Sequence, residues 1–132
     1  MEKRAKILLI DDDPDFVQAT RKVLESKPYE VIVAYDGEEG LQKARDEKPD
    51  LILLDIIMPL RDGFTVCEEL KSNPEFADIP VLMITSFSQR VGETTLAVSR
   101  GFSLEAEDYI DKPIKPAELL ARIEKQLEKK RK

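Results

Sequence analysis

Three aspartates, Asp11, Asp12 and Asp13, follow the short apolar run ILLI at Ile7–Ile10, and a fourth, Asp55, ends the run LILL at 51–54. Thr85 and Ser86 follow VLMI, and Lys112 follows DYID. Each of these polar groups stands where an apolar segment stops. The chain has no histidine, which removes the Ser-His-Asp triad, histidine-based metal sites and any phosphohistidine on this chain. What is left is the chemistry of carboxylates, hydroxyls and ammonium groups. A carboxylate can bind a hard cation, and it can attack phosphorus to form an acyl phosphate.

Electrostatics sharpens this reading. Two carboxylates about 4 Å apart repel by roughly 4 kcal/mol at an effective dielectric near 20. If folding gathers Asp11, Asp12 and Asp55, the single charge of Lys112 cannot balance them. The deficit calls for a divalent cation. With hard oxygens as the only donors, Mg2+ fits, or Mn2+ in its place. A cation-bound aspartate beside a lysine and a hydroxyl suits in-line phosphoryl transfer, which needs placement and charge more than acid–base groups.

The elements that must gather these residues alternate. Strand-like runs cover Lys6–Ile10, Tyr29–Ala34, Asp50–Asp55, Ile79–Ile84 and Asp108–Asp111. Helix-like segments lie between them: one opening at Asp13-Pro14, then Glu38–Glu47, Phe64–Ser72 and Gln89–Arg100, with a last one from Pro116. Such alternation implies a parallel sheet with helices on both faces. Open sheets of this kind bind ligands at the carboxyl ends of their strands, where Asp11, Asp12, Asp55, Thr85 and Lys112 all stand.

Composition bounds the rest. With 132 residues, 42% hydrophobic and 36% charged, the chain suits one domain. No apolar run nears the roughly 20 residues needed to cross a bilayer, and the N-terminus does not read as a signal peptide. The net charge of −6 argues against direct nucleic-acid binding. A lone cysteine, Cys67, excludes an internal disulfide and fits a cytoplasmic location; it reads as a small core residue. Asp13 reads as a helix cap, and Asp62-Gly63 as a turn in which Gly63 supplies a positive φ and Asp62 caps the next helix. The basic end, 128–132, after a core of about 5–127, reads as helix C-terminal charge complementing the dipole plus a frayed tail.

The segments ILLIDDD, LILLDIIMPLRDG, VLMITSFS and EDYIDKPI, in that order, resemble a response-regulator receiver domain of two-component signalling. The likeness runs from Lys6 to the final helix. It implies a three-layer, doubly wound (βα)5 flavodoxin-like fold with a five-stranded parallel sheet of order 2-1-3-4-5. It implies Asp55 as phosphoacceptor and Mg2+ held by Asp11, Asp12, Asp55 and the backbone carbonyl of Ile57. Thr85 takes the place of the switch hydroxyl, Tyr109 of the switch aromatic and Lys112 of the phosphate-pairing lysine, with a cis Lys112–Pro113 bond. The implied partners are a histidine kinase or histidine phosphotransfer protein and a downstream protein or fused output domain. A phosphorylation-linked dimer is also expected. The output face would be the fourth helix, fifth strand and fifth helix. Such a chain is not a turnover enzyme; it catalyses only its own phosphorylation and dephosphorylation.

Two departures from the family pattern stand out. The segment between Thr85 and Lys112 is a few residues longer than usual, the extra residues falling within Arg100–Glu107, where most receivers have a compact Gly-Ala turn, or in the helix before it. Ile57 and Phe87 are apolar beside the acceptor, which predicts slow loss of phosphate through poor water access. Three other readings compete. A Mg2+-dependent phosphatase working through an aspartyl phosphate, like the haloacid dehalogenases, would carry an acid at position 57, where this chain has isoleucine. A flavodoxin-like electron carrier would need a Ser/Thr/Gly-rich phosphate loop where this chain has three aspartates. An unphosphorylated adaptor would have no need of the full acidic set.

Overall fold

The apolar runs form strands because each central one is covered on both faces. The computed structural model describes residues 5–56, 58, 62–86, 106–112 and 114–131, with the backbone alone at 85, 86, 111, 130 and 131. The elements are β1 (Ala5–Ile10), α1 (Pro14–Glu25), β2 (Tyr29–Ala34), α2 (Gly37–Glu47), β3 (Leu51–Asp55), α3 (Gly63–Ser72), β4 (Val81–Ser86), β5 (Asp108–Lys112) and α4 (Pro116–Arg131). The helix expected at Gln89–Arg100 lies outside the described residues. The strands form one parallel sheet in the order β2-β1-β3-β4-β5, as the family resemblance implies.

The pleat sorts the core into two layers. Leu8, Ile10, Ile52, Leu54, Val81 and Met83 face Ala44 of α2 and Phe64, Val66, Cys67 and Leu70 of α3. Ile7, Leu9, Leu51, Leu53, Leu82, Ile84 and Ile110 face Val17 and Leu24 of α1 and Leu119, Ile123 and Leu127 of α4. Alternate residues of a strand point to opposite faces. Burying Leu51–Asp55 completely therefore requires helices on both sides.

Side chains fix the helix starts. Asp13 Oδ1 accepts from the backbone N–H groups of Asp15 and Phe16, and Pro14 takes the first helical position. Asp36 Oδ1 caps α2 through the Glu39 N–H, and Asp62 Oδ1 caps α3 through the Thr65 N–H. The expected caps at Asp13 and Asp62 are thus present, and Cys67 is a buried, free thiol.

Four local expectations need correction. β4 begins at Val81, not at Ile79: the Ile79 N–H donates to the Phe76 carbonyl at 3.0 Å in the preceding turn. Thr85, Ser86 and Lys112 are the last residues of their strands and do not follow them. α4 runs through Arg131, so residues 128–131 are the basic helix end that was expected, and the expected fraying does not reach them; no helix breaker interrupts them. Gly63 does not take a positive φ; what it provides is space against the end of β3.

Candidate metal centre and phosphoacceptor rim

Strand register carries the acids to one place. Ile10 pairs with Leu54, so the next residues, Asp11 and Asp55, stand side by side at the carboxyl ends of β1 and β3. Asp55 pairs with Ile84, and Ile84 with Ile110, two residues before Lys112. Asp11 continues the parity of Ile7 and Leu9, Asp55 that of Leu51 and Leu53, and Lys112 that of Ile110. All three therefore leave on the α1/α4 face, at the carboxyl ends of the strands.

There, carboxylate oxygens of Asp11, Asp12 and Asp55 lie within 4.8 Å of one another, Asp12 exposed and the other two buried. Lys112 Nζ stands 3.5 Å from Asp11 Oδ2 and 3.7 Å from Asp55 Oδ1, and 4.3 Å from the centre of the Phe16 ring. The ring holds the ammonium over the rim from the side of α1.

Asp11 is fully buried. Its Oδ1 accepts the Asp13 N–H at 2.9 Å, and its own N–H donates to the Ala34 carbonyl at 3.1 Å. Among the described residues Oδ2 meets only the Lys112 ammonium, a charge contact too long for a well-made hydrogen bond. Burial pushes the Asp11 carboxyl above its ordinary range, and the negative charge of Asp12 adds to this. The Asp13 N–H and Lys112 pull the other way. A buried carboxylate oxygen so poorly served by donors, beside two further carboxylates, fits a hard divalent cation.

The other expected residues are placed in part. The Thr85 backbone lies on the same rim, in register with Asp111; its hydroxyl lies outside the described side chains. Ile57, Phe87 and Pro113, and with them the carbonyl ligand, the apolar flank and the cis bond, lie outside the described residues. Tyr109 sits on the opposite face of the sheet, packed against the α2/α3 core layer. Burial and the neighbouring Cys67 push its hydroxyl pKa up.

Three contributions escaped sequence reasoning. Phe16 looks like any apolar helix residue. Arg122 of α4 donates to Asp108 Oδ1 at 2.7 Å and to the Tyr109 carbonyl at 3.3 Å, and pairs with Glu118 at 3.1 Å. It thereby fastens the final helix to β5, and only the Glu118–Arg122 spacing hinted at it. Gly63 donates its N–H to the Ile56 carbonyl at 2.7 Å, joining the start of α3 to the end of β3.

Comparison with known proteins agrees with this geometry. The response regulator receiver domain model matches residues 7–124. The chain is 41% identical over 118 residues to the alkaline phosphatase synthesis transcriptional regulatory protein PhoP of Bacillus subtilis, covering 89% of this chain and 46% of that protein. It is 42% identical over 118 residues to the DNA-binding dual master transcriptional regulator RpaA of Synechocystis, covering 89% and 47%. The chain thus spans about half the length of these curated relatives. Among solved structures, a CheY-like response regulator receiver domain protein from Methanospirillum hungatei superposes with a TM-score of 0.83 at 29% identity, covering 98% of both chains. A response regulator from Chloroflexus aurantiacus gives 0.82 at 31%, covering 95% of this chain and 98% of that one. With the family model spanning most of its length and the acidic rim in place, the chain belongs to the response regulator receiver domain family.

Proposed function

We propose that this chain is a phosphoacceptor switch whose acceptor is Asp55. The observation that carries the proposal is the meeting of Asp11, Asp12 and Asp55 within 4.8 Å, with Lys112 at 3.7 Å from Asp55. Asp11, Asp12 and Asp55, with the carbonyl of Ile57 that the family resemblance adds, would hold Mg2+. When bound, the ion supplies positive charge to the oxygens of the transferring group. The donor is a phosphohistidine on a histidine kinase or phosphotransfer protein, the partner that the family resemblance implies; this chain has no histidine to carry it. An Asp55 carboxylate oxygen bonds to phosphorus while the P–N bond breaks, and the leaving imidazole keeps that electron pair and takes a proton. Lys112 pairs with a phosphoryl oxygen, and the Thr85 hydroxyl donates to another.

The aspartyl phosphate adds negative charge and new acceptor oxygens at the rim. Thr85 moves toward it and Tyr109 repacks, shifting a pre-existing equilibrium at the face that includes β5 and α4. That face then changes its affinity for a downstream protein or a fused output domain, and a phosphorylation-linked dimer is one form of that output. Turnover of a separate substrate is not part of the function. The reaction belongs in the cytoplasm, where kinase modules and phosphodonors meet it.

The test is intact mass after incubation with Mg2+ and a small acyl phosphate. Wild type gains one hydroxylamine-labile phosphate, and Asp55→Asn gains none. A label that persists in Asp55→Asn rules Asp55 out as the acceptor.

A further inference from the structure

We propose that Gly63 is a positioning residue for Asp55: its lack of a side chain lets α3 start directly against the end of β3 and so fixes where the acceptor carboxylate stands. The inference rests on the reading of Asp55 as a cation-binding phosphoacceptor.

The contact is backbone on backbone. A Cβ at Gly63 would fall well inside van der Waals contact with the Asp55 carbonyl oxygen, 2.7 Å from Ile56 Cα and 3.0 Å from the Asp55 carbonyl carbon. No side-chain rotation can relieve such a clash. Either the first turn of α3 or the Asp55–Ile56 peptide must move.

The helix is the firmer partner. Asp62 caps it through the Thr65 N–H at 2.8 Å, and the Asp62 carbonyl accepts from Val66 at 3.1 Å. Phe64, Val66, Cys67 and Leu70 bury its inner face. On the strand side, the ladder reaches its end here. Asp55 is the last paired residue of β3, and the Ile56 N–H makes one further bond, to the Ile84 carbonyl at 3.1 Å. The displacement caused by a methyl group at position 63 therefore falls on Asp55, next to the other two acids. The Gly63 N–H to Ile56 carbonyl bond at 2.7 Å is the positive half of the same joint. It closes the base of the loop that leads from Asp55 to α3.

Gly40 supplies a control with different physics. A Cβ there meets the Ile10 side chain, 2.5 Å from Cδ1 and 3.0 Å from Cγ1, and a rotamer change can absorb much of that. Gly40→Ala should cost packing and leave the rim in place.

The experiment compares Gly63→Ala, Gly40→Ala and wild type for fold by circular dichroism, Mg2+ affinity by calorimetry, and phosphate uptake at saturating Mg2+. Gly63→Ala is expected to fold, to lose about 10- to 100-fold in Mg2+ affinity, and to take phosphate more slowly even when saturated. Gly40→Ala is expected to keep wild-type Mg2+ affinity whatever its loss of stability. A folded Gly63→Ala that matches wild type in both readouts overturns the proposal, as does an equal loss of Mg2+ affinity in Gly40→Ala. If Gly63→Ala does not fold, the wild-type amide decides: the Gly63 N–H resonance is expected to be protected from exchange and to shift on Mg2+ addition, and an unprotected or unmoved amide overturns the proposal. A wild type that neither binds Mg2+ nor takes phosphate overturns the underlying reading itself, a result distinct from any variant matching an active wild type.

Discussion

The two ends of the sheet each hold a lysine among oxygen acceptors, and they use it in opposite ways. Where β4 begins, Lys71 Nζ donates to the Ala77 carbonyl at 3.2 Å, the Ile79 carbonyl at 2.9 Å and Glu107 Oε2 at 2.8 Å. Glu107 Oε1 accepts the Val81 N–H at 2.7 Å, and the Glu107 N–H donates to the Val81 carbonyl at 2.9 Å. All three ammonium protons have an acceptor, so the group is spent on structure. Where the strands end, Lys112 meets two buried carboxylates at 3.5 and 3.7 Å, and Asp11 Oδ2 receives no better donor among the described residues. A satisfied network stabilises a fold and an under-served one can accept a ligand. The difference separates a clamp from a site more clearly than residue type or burial does.

The widest split should come from deleting each lysine. With Mg2+ present, Lys112→Met is expected to slow phosphate uptake by about 100-fold or more, while the bound cation still balances Asp11 and Asp55 and keeps the loss of stability below that of Lys71→Met. Lys71→Met is expected to cost about 2–3 kcal/mol, because it strands Glu107 and two carbonyls, with uptake unchanged wherever the protein is folded. Urea denaturation beside intact-mass kinetics reads both, and equal stability losses would erase the distinction.

A smaller effect concerns cation binding at the rim. Raising Mg2+ to about 100 times its Kd should stabilise wild type and Lys71→Met alike by about 2.7 kcal/mol. Thermal midpoints with Mg2+ and with chelator measure this, and unmoved midpoints would mean that the acids do not form a cation site.

The smallest effect is the response to acid. Burial raises the Asp11 carboxyl above its ordinary 3.8, so the folded state holds that proton more tightly than the unfolded one. The resulting stabilisation is complete below the unfolded value and is lost as pH rises through the folded one. In chelator, wild type should therefore gain stability from Asp11 as pH falls from neutral into that window. Asp11→Asn should lack this component, and identical pH profiles for the two would count against it.

Much of this site was legible because each chemical residue is tied to a strand end. A buried apolar run that stops on an acid fixes both the strand and the acid's position, and the alternation of elements then brings Asp11, Asp12, Asp55 and Lys112 to one rim. Boundaries were harder to read. Ile79 is apolar because a turn buries it, and its sequence looks no different from a strand start. The contacts that bind remote segments were silent altogether. Lys71 and Glu107 carry no local pattern, and Asp62-Gly63 spells a common turn. The reason for that glycine is a strand that lies beside it only after folding.

The odd-even order of β1 and β3 has a last consequence, for how the chain avoids mispairing. A slip of β3 by a single residue would turn Asp55 toward Phe64 and Met83, sinking a carboxylate into hydrocarbon at a cost of several kcal/mol. Such a chain could still look largely parallel and well packed elsewhere. The acid that makes the protein addressable thus also penalises the wrong alignment, and cation uptake becomes a readout of correct registry during refolding.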